Sequence, residues 1–377
     1  MAAVVLVRRY EPRATVSDRS KRLSQTSAPS SALQRLVAHC GDEPYTSPSD
    51  GFSFHPRMRE TAELIVSEPD KHAADVPVDS LKDKAELGFL RLAAGGMVPA
   101  SWYLPELPAT DQRAVRTGRL SLEIVSHCWR YSHLLVYQLS SLLLHPPREM
   151  DVTMTVFHAA EDPGTAALLD FFAAHDVPGV TWNWRTLDKG HLFRRAIGRN
   201  LAAKETAADW IWFTDCDVVF GPGCLDRLNH LLQGRRDALV FPQEEWCSEL
   251  LESEAPLLKA GGGEPQVVDI DHSDFTARQR DRATGPLQIT HGDVARACGY
   301  CEGLRYYQKP SRLWAKAYED RAFRWLLRTQ GVALDVPGVH RIRHVSKGRY
   351  QGGRTSNSLR ALIRRYQIGW RERDTQR

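Results

Sequence analysis

The chain has 377 residues, 42% of them hydrophobic, which is enough for a large core and about two or three domains. A net charge of +4 is too small to require nucleic acid as a partner, and seven cysteines without a framework spacing fit a reducing compartment. No run approaches the roughly 18 apolar residues of a membrane span. We therefore expect a cytoplasmic protein, with peripheral attachment to a membrane left open.

The N-terminal part of the sequence is expected to lie outside the main domain. Residues 1–56 are rich in Ser, Thr, Pro and Arg, which favours a mobile or loosely packed arm. Residues 57–118 carry short helix-like repeats broken by Pro69 and Pro77, followed by a proline-rich stretch from Pro99 to Pro108. The sequence thus predicts an extra N-terminal region, a helical prelude and linker with irregular segments.

From residue 119 to 350 strands and helices alternate, which indicates a mainly parallel central sheet covered by helices on both faces. In such α/β sheets ligands bind beyond the carboxyl ends of the strands. The predicted strands are Leu120–Cys128, Val152–His158, Val180–Trp184, Trp210–Val219, Ala238–Pro242, Gly285–Thr290 and Val339–His344. The predicted helices are Tyr131–Leu144, Thr165–His175, His191–Ala208, Cys224–Leu232 and Ser311–Gln330, and Glu249–Asp274 is predicted to be loop-rich.

The segment from Trp210 to Phe220 places two carboxylates, Asp215 and Asp217, inside an apolar and aromatic run. Burying ionised carboxylates there is costly unless a cation neutralises them. Alternation along a strand puts residues two apart on the same side, so both carboxylates could face one hard cation such as Mg²⁺ or Mn²⁺. We predict a divalent metal site here; the alternative is a strand followed by a polar turn.

Several motifs together resemble those of the GT-A glycosyltransferases, most closely family 2. The block Ala196–Asn200, followed by the strand that ends in Asp215-Cys216-Asp217, is similar to the family's A-R-N helix, hydrophobic strand and D-x-D motif. Gly285–Ile289 and then Tyr318-Glu319-Asp320 are similar to its acceptor-side strand and E-D motif. The first strand departs from the family, because it ends in Ser126–Trp129 rather than in a Pro-Thr-Tyr-Asn type of sequence.

The resemblance implies a Rossmann-like GT-A fold and transfer of a sugar from a nucleotide-sugar donor, with a UDP-sugar favoured. The acceptor is a hydroxyl group of a glycan, lipid, protein or small molecule. Asp217, with Asp215 and a C-terminal histidine for which His344 is our candidate, would hold Mg²⁺ or Mn²⁺ against the donor diphosphate. Arg195 and Arg199 could add cationic contacts to the diphosphate, or they could be ordinary surface arginines.

The resemblance also suggests roles for other polar residues. Asn200 belongs to the donor-side motif. Asp320 is our candidate for the base that takes the acceptor proton in an inverting transfer, and Glu319 would orient the acceptor. The alternative is that two acids at a helix start favour the macrodipole. Asp162 and Glu161 complete the predicted donor contacts, although Asp162 could equally be a helix N-cap.

Three other functions remain open on the sequence alone. The pattern Asp215-Cys216-Asp217-Val218-Val219 also satisfies the motif of haloacid-dehalogenase-type phosphatases, with Asp215 as nucleophile and Asp217 as acid/base. A metal-dependent nucleotidyltransferase is a second alternative. The third is a GT-A module that binds a glycan without transferring it.

The C-terminus is strongly basic. From Arg341 to Arg377 there are ten arginines and one lysine against only Glu372 and Asp374. The tail at residues 351–377 could meet phosphate, an acidic glycan or an anionic membrane surface, or it could be a solvated basic helix.

Overall fold

The computed structural model describes residues 80–104, 106–314 and 317–345. The predicted arm at 1–56, the start of the prelude before residue 80 and the basic tail at 351–377 lie outside these residues. All structural statements concern the described residues.

The described chain contains eleven strands and nine helices. The strands are β1 (Leu120–His127), β2 (Met150–His158), β3 (Val180–Thr186), β4 (Trp210–Phe213), β5 (Val218–Phe220), β6 (Leu239–Pro242), β7 (Glu244–Leu251), β8 (Thr276–Gln279), β9 (Gln288–His291), β10 (Val332–Leu334) and β11 (Val339–His344). The helices are α1 (Leu81–Leu92), α2 (Ser132–Leu144), α3 (Pro163–Ala173), α4 (Lys189–Phe193), α5 (Arg195–Glu205), α6 (Cys224–Leu232), α7 (Pro256–Gly261), α8 (Gly292–Cys298) and α9 (Glu319–Leu326).

The strands form two sheets. The central sheet has seven strands in the order β10-β6-β9-β4-β1-β2-β3, and the smaller sheet has the order β5-β11-β7-β8. In the central sheet β1, β2, β3 and β4 are parallel, whereas β9 runs antiparallel to both of its neighbours. The prediction of a mixed α/β fold with a mainly parallel central sheet flanked by helices is confirmed.

The central strands are apolar because both faces of the sheet are covered. All four residues of β4 are buried, and seven of the eight residues of β1 are buried. Helix α2 is apolar on nearly every side, since it packs against β5 of the smaller sheet and against α7. It therefore lies within the core and can support residues that join the two sheets.

The predicted strand Trp210–Val219 is wrong in one decisive respect. The chain leaves the central sheet after Phe213, and β5 pairs with β11 in the smaller sheet. Asp215 and Asp217 therefore lie in the connection between two sheets, and strand alternation does not orient their side chains. Because β4 and β5 are both buried, their apolar residues form an almost continuous run in the sequence, and this run has the pattern of a single strand.

Two predicted helices are also shorter than expected. The segment His191–Ala208 is divided between α4 and α5, because Arg194 has non-helical φ and ψ angles of −100° and 80°. Among its described residues, the segment Ser311–Gln330 contains only α9, which begins after Tyr318 in a left-handed conformation with φ of 62°. The predicted loop Glu249–Asp274 contains the end of β7 and the short helix α7.

The N-terminal prelude packs against α9. Helix α1 begins with a capping box at Ser80 and Asp83, and Asp83 also pairs with Lys309 at 2.6 Å. The irregular segment that follows accepts a 2.9 Å hydrogen bond from Trp325 Nε1 at the carbonyl of Val98. No described helix is long and apolar enough to cross a membrane.

A glycine in α5 is expected to be essential for helix packing. A Cβ at Gly198 would overlap the ring of His127 and come within 3.1 Å of Phe157. We expect Gly198→Ala to lower the free energy of unfolding by about 1–3 kcal/mol, measured by urea denaturation.

Gly88→Ala is the matched control, because Gly88 is an exposed glycine inside α1. Apart from its chain neighbours and the backbone of its own helix, no described atom lies within 4 Å of the position that a Cβ would occupy there. This substitution should be neutral or stabilise by up to roughly 1 kcal/mol. Equal effects of the two substitutions would contradict the close approach of α5 to β1.

Candidate active site

The acidic turn that contains Asp215 and Asp217 is fixed by its own backbone. Gln138 Nε2, on α2, donates to the carbonyl oxygens of Asp215 at 3.1 Å and Val218 at 2.9 Å. On the other side, the amide of Ile342 in β11 donates to the carbonyl of Asp217 at 2.9 Å. The turn is therefore held between the core helix and the last strand.

Two arginines from α5 neutralise Asp215. Its Oδ1 lies 2.8 Å from Arg195 Nη1 and 3.4 Å from Arg199 Nη2. Arg199 is only 1% exposed and also donates to the hydroxyl of Tyr300 and the carbonyl of Gly285. Arg199 is therefore not an ordinary surface residue, and Arg195 is a partly buried cation beside the turn.

Arg195 also reaches the acid pair at the start of α9. Its Nη2 lies 2.7 Å from Glu319 Oε1, and the Glu319 side chain is 5% exposed. Burial alone would raise the pKa of Glu319, but Arg195 and Arg199 outweigh it and hold that pKa below its ordinary value. One guanidinium therefore joins carboxylates from two motifs that lie about a hundred residues apart.

Asp217 faces the opposite side of the turn, toward the smaller sheet. Its side chain is 3% exposed, and its Oδ2 lies 3.6 Å from Arg341 Nε. Arg341 belongs to β11, as does His344, whose ring packs edge-on against Tyr131. The last described strand thus brings both a cation and an imidazole to the acidic turn.

A small cavity connects these groups and encloses about 30 Å³, enough for a water molecule or a cation but not for a nucleotide sugar. Binding of such a donor would require the cavity to widen. The cavity is lined by His127, Tyr131, Leu134, Arg195, Asp215, Cys216, Asp217, Trp314 and His344.

In the described part of the chain, no three His, Cys, Asp or Glu side chains are grouped so that they could hold a metal ion. Asp215, Asp217 and His344 nevertheless line one cavity. Carboxylate oxygens suit Mg²⁺ and Mn²⁺, and imidazole is a further ligand for a transition metal. The chemistry of this donor set therefore fits a divalent cation, with further ligands needed from outside the protein.

Asp320 lies next to Glu319 in the first turn of α9 but has a different environment. Its side chain is 26% exposed and pairs with Arg324 at 3.2 Å. Its Cβ lies 3.6 Å from the position that a Cβ would take on Gly285, the first residue of the predicted acceptor-side segment. Of the two acids, Asp320 is the more accessible to another molecule.

Two of the three remaining predicted donor residues, Asp162 and Asn200, have structural partners. Asp162 is the N-cap of α3 and accepts hydrogen bonds from the amide and hydroxyl of Thr165 at 3.2 and 2.7 Å. Asn200 accepts from the amide of Tyr300 at 2.8 Å. Glu161 is exposed. None of these three residues lines the cavity, and their roles in donor binding stay predictions.

Sequence reasoning missed His127 and Arg341. His127 is buried, and within the described chain neither of its ring nitrogens has a hydrogen-bond partner. Burial, Arg199 and Arg195 lower its pKa well below the ordinary value, so the ring is neutral. The departure of β1 from the family pattern was a usable signal for His127, whereas Arg341 was hidden in the basic C-terminal composition.

No protein-family model and no curated protein sequence matches the chain. Among solved structures, it is similar to S. aureus TarS 1–349, at 12% identity and a TM-score of 0.39 over 60% of this chain and 61% of that one. It is also similar to the mannosyltransferase PcManGT from Pyrobaculum calidifontis in complex with GDP-Man and Mn²⁺, at 14% identity and a TM-score of 0.35 over 71% and 67%. The chain spans about three fifths of that TarS structure. Likenesses at this level carry no argument about the site, which rests on its own residues.

The ion pair between Arg195 and Glu319 predicts a specific pH dependence of stability. With Arg195 present, the lowered pKa of Glu319 makes this pair stabilising above about pH 4.5, and the stabilisation is lost as pH falls through the lower folded-state pKa. Arg195→Gln removes the larger of the two opposing charges while the burial of Glu319 remains, so the pKa of Glu319 rises; the deficit in unfolding free energy should be about 3–5 kcal/mol at pH 8 and shrink toward pH 5. Urea denaturation at several pH values measures it.

Lys204→Gln is the matched control, since it removes one positive charge from a more exposed pair with Glu302. We expect a change within about 1 kcal/mol and no trend over the same pH range. A deficit of Arg195→Gln that is constant from pH 5 to 8 would contradict an ionised, buried Glu319.

Proposed function

We propose that the protein is a glycosyltransferase that moves a sugar from a nucleotide-sugar donor to a hydroxyl acceptor, with a UDP-sugar favoured. The main support is the Arg195 fork, which joins Asp215 of the acidic turn to Glu319 of α9 at 2.8 and 2.7 Å. This fork lies beyond the carboxyl end of β4, where ligands of open parallel sheets bind. One guanidinium that lines the cavity thus joins the acidic turn to the E-D motif of the GT-A resemblance.

The donor diphosphate would be recognised by charge. Arg195 lines the cavity, and its positive charge attracts phosphate oxygens while Nη1 and Nη2 stay paired with Asp215 and Glu319. Asp217, Asp215 and His344 are the residues that would hold Mg²⁺ or Mn²⁺. When bound, such a cation neutralises the charge that develops on the leaving diphosphate. Neutral His127 offers the donor one N–H and one acceptor nitrogen in the same cavity.

Asp320 is the group best suited to accept the proton of the acceptor hydroxyl. Glu319 is committed to Arg195, whereas Asp320 is more exposed and could approach a bound acceptor. A base at this position favours an inverting transfer. Glu319 would then fix Arg195 and the start of α9 rather than move a proton.

The phosphatase alternative is disfavoured by the surroundings of Asp215. A nucleophilic carboxylate must attack phosphorus, and the pairing of Asp215 with Arg195 and Arg199 stabilises its negative charge and so makes it a weaker nucleophile. A nucleotidyltransferase or a binding module without transfer would keep the same donor contacts. Product analysis separates these possibilities from sugar transfer.

Donor binding should depend on Asp217 and on a divalent cation. We expect one class among UDP-, GDP- and dTDP-sugars to raise the melting temperature of the full chain by several degrees with Mn²⁺, because bound ligand stabilises the folded state. The shift should vanish in Asp217→Ala and persist in Asp170→Ala, which removes an exposed acid on α3. Thermal-shift measurement with and without Mn²⁺ tests this.

The result that overturns the proposal is the absence of any shift with all three donor classes, together with turnover of a phosphate monoester. That outcome would establish the phosphatase function. Binding of a donor without either hydrolysis or transfer to any hydroxyl acceptor would favour the non-catalytic module.

Asp320→Asn should separate binding from transfer. Loss of a general base slows transfer by about 10²–10⁴-fold, while the thermal shift by donor and Mn²⁺ should remain. Product formation is measured by chromatography of the released nucleoside diphosphate, and Asp170→Asn is the control variant. Retention of the donor's anomeric configuration in the product would contradict the role of Asp320 as the general base of an inverting transfer.

A further inference from the structure

Arg341 lies between two buried carboxylates that belong to different parts of the site. Its guanidinium is 3.6 Å from Asp217 Oδ2 and 3.5 Å from Glu245 Oε1. Both distances exceed the roughly 2.7–2.9 Å of a charge-assisted hydrogen bond. Arg341 therefore neutralises both carboxylates without forming a close bond to either one.

Glu245 has one carboxylate oxygen that no described donor reaches. It lies in β7 and is completely buried, and its Oε1 is bonded by Arg280. Its other oxygen, Oε2, has no hydrogen-bond partner among the residues that the structure describes. A buried carboxylate oxygen without a donor is unfavourable, so movement of Arg341 toward Glu245 would satisfy it.

Charge balance gives the reason for such a movement. Asp217 and Glu245 carry two negative charges, and Arg341 and Arg280 carry two positive charges. A divalent cation at Asp217 would meet the like charge of Arg341 only a few ångströms away, where low dielectric strengthens repulsion. The cation and Arg341 therefore compete for the same carboxylate.

We propose that Arg341 is a resident counter-cation, which holds Asp217 in the donor-free protein and moves onto Glu245 when a divalent cation binds Asp217. Arg341 is a positioning residue in this scheme, because it acts through Asp217 and does not touch the substrate. The inference rests on the proposed function, since it concerns the same cation site.

The test is the affinity of the full chain for Mn²⁺ without any donor, measured from the electron paramagnetic resonance signal of free Mn²⁺. Arg341→Gln should bind Mn²⁺ about tenfold more tightly than the wild type, because the competing charge is gone. Arg341→Lys keeps the charge and should stay within about twofold of the wild type. Arg119→Gln removes the same charge from an exposed pair with Asp151 at the opposite end of the central sheet and should also change the affinity less than about twofold.

A double-mutant cycle distinguishes an exchange of partners from a general electrostatic effect. Glu245→Gln should weaken Mn²⁺ binding in the wild type, because Arg341 loses its alternative partner. The same substitution should have no effect in the Arg341→Gln background. Additive effects would overturn the proposal, as would equal Mn²⁺ affinities of Arg341→Gln and the wild type.

Failure of the counter-cation proposal can be distinguished from failure of the proposed function. Mn²⁺ binding by the wild type with no response to Arg341→Gln rejects the counter-cation and leaves the proposed function intact. No Mn²⁺ binding by the wild type or by Arg341→Gln rejects both the counter-cation and the cation site. Thermal unfolding checks that each variant is folded; if Glu245→Gln is not, the comparison of Arg341→Gln with Arg341→Lys decides.

Discussion

The neutralisation of Asp215 by Arg195 and Arg199 is the interaction on which the rest of the site depends. The Asp215 side chain is 12% exposed, and an uncompensated carboxylate at that depth costs several kcal/mol. Arg199 also links Asp215 to other parts of the fold, because it donates hydrogen bonds to Tyr300 and Gly285. The acidic turn, helix α5 and the segment before β9 are therefore fixed relative to one another by one buried set of charges.

The position of the acidic turn between the two sheets determines which residues Asp217 contacts. Because β4 ends in the central sheet and β5 begins in the smaller one, Asp215 faces α5 while Asp217 faces β11. Strand β11 comes from the end of the described chain and pairs with β5 and β7. It is this pairing that brings Arg341 and His344 to carboxylates more than a hundred residues earlier.

Much of this arrangement could be predicted from the sequence, but only where it depends on residues close together in the chain. The order of strands and helices from Leu120 onward was readable from hydrophobic periodicity. The arginines of α5, Asp215 and Glu319 were singled out from their motifs, and the structure places them in contact. The break at Arg194 and the left-handed start of α9 at Tyr318 were missed, because backbone conformation at a single residue leaves little trace in periodicity.

The sequence by itself determined the α/β class, the pair of carboxylates within a buried apolar run and the set of charged residues available to a site. Those features follow from local hydrophobicity and residue chemistry. Only the tertiary structure decided that Arg195 spans Asp215 and Glu319, and that Arg341 stands between Asp217 and Glu245. Which cation meets which carboxylate depends on sheet pairing between distant segments, and a single sequence does not encode that pairing in any local pattern.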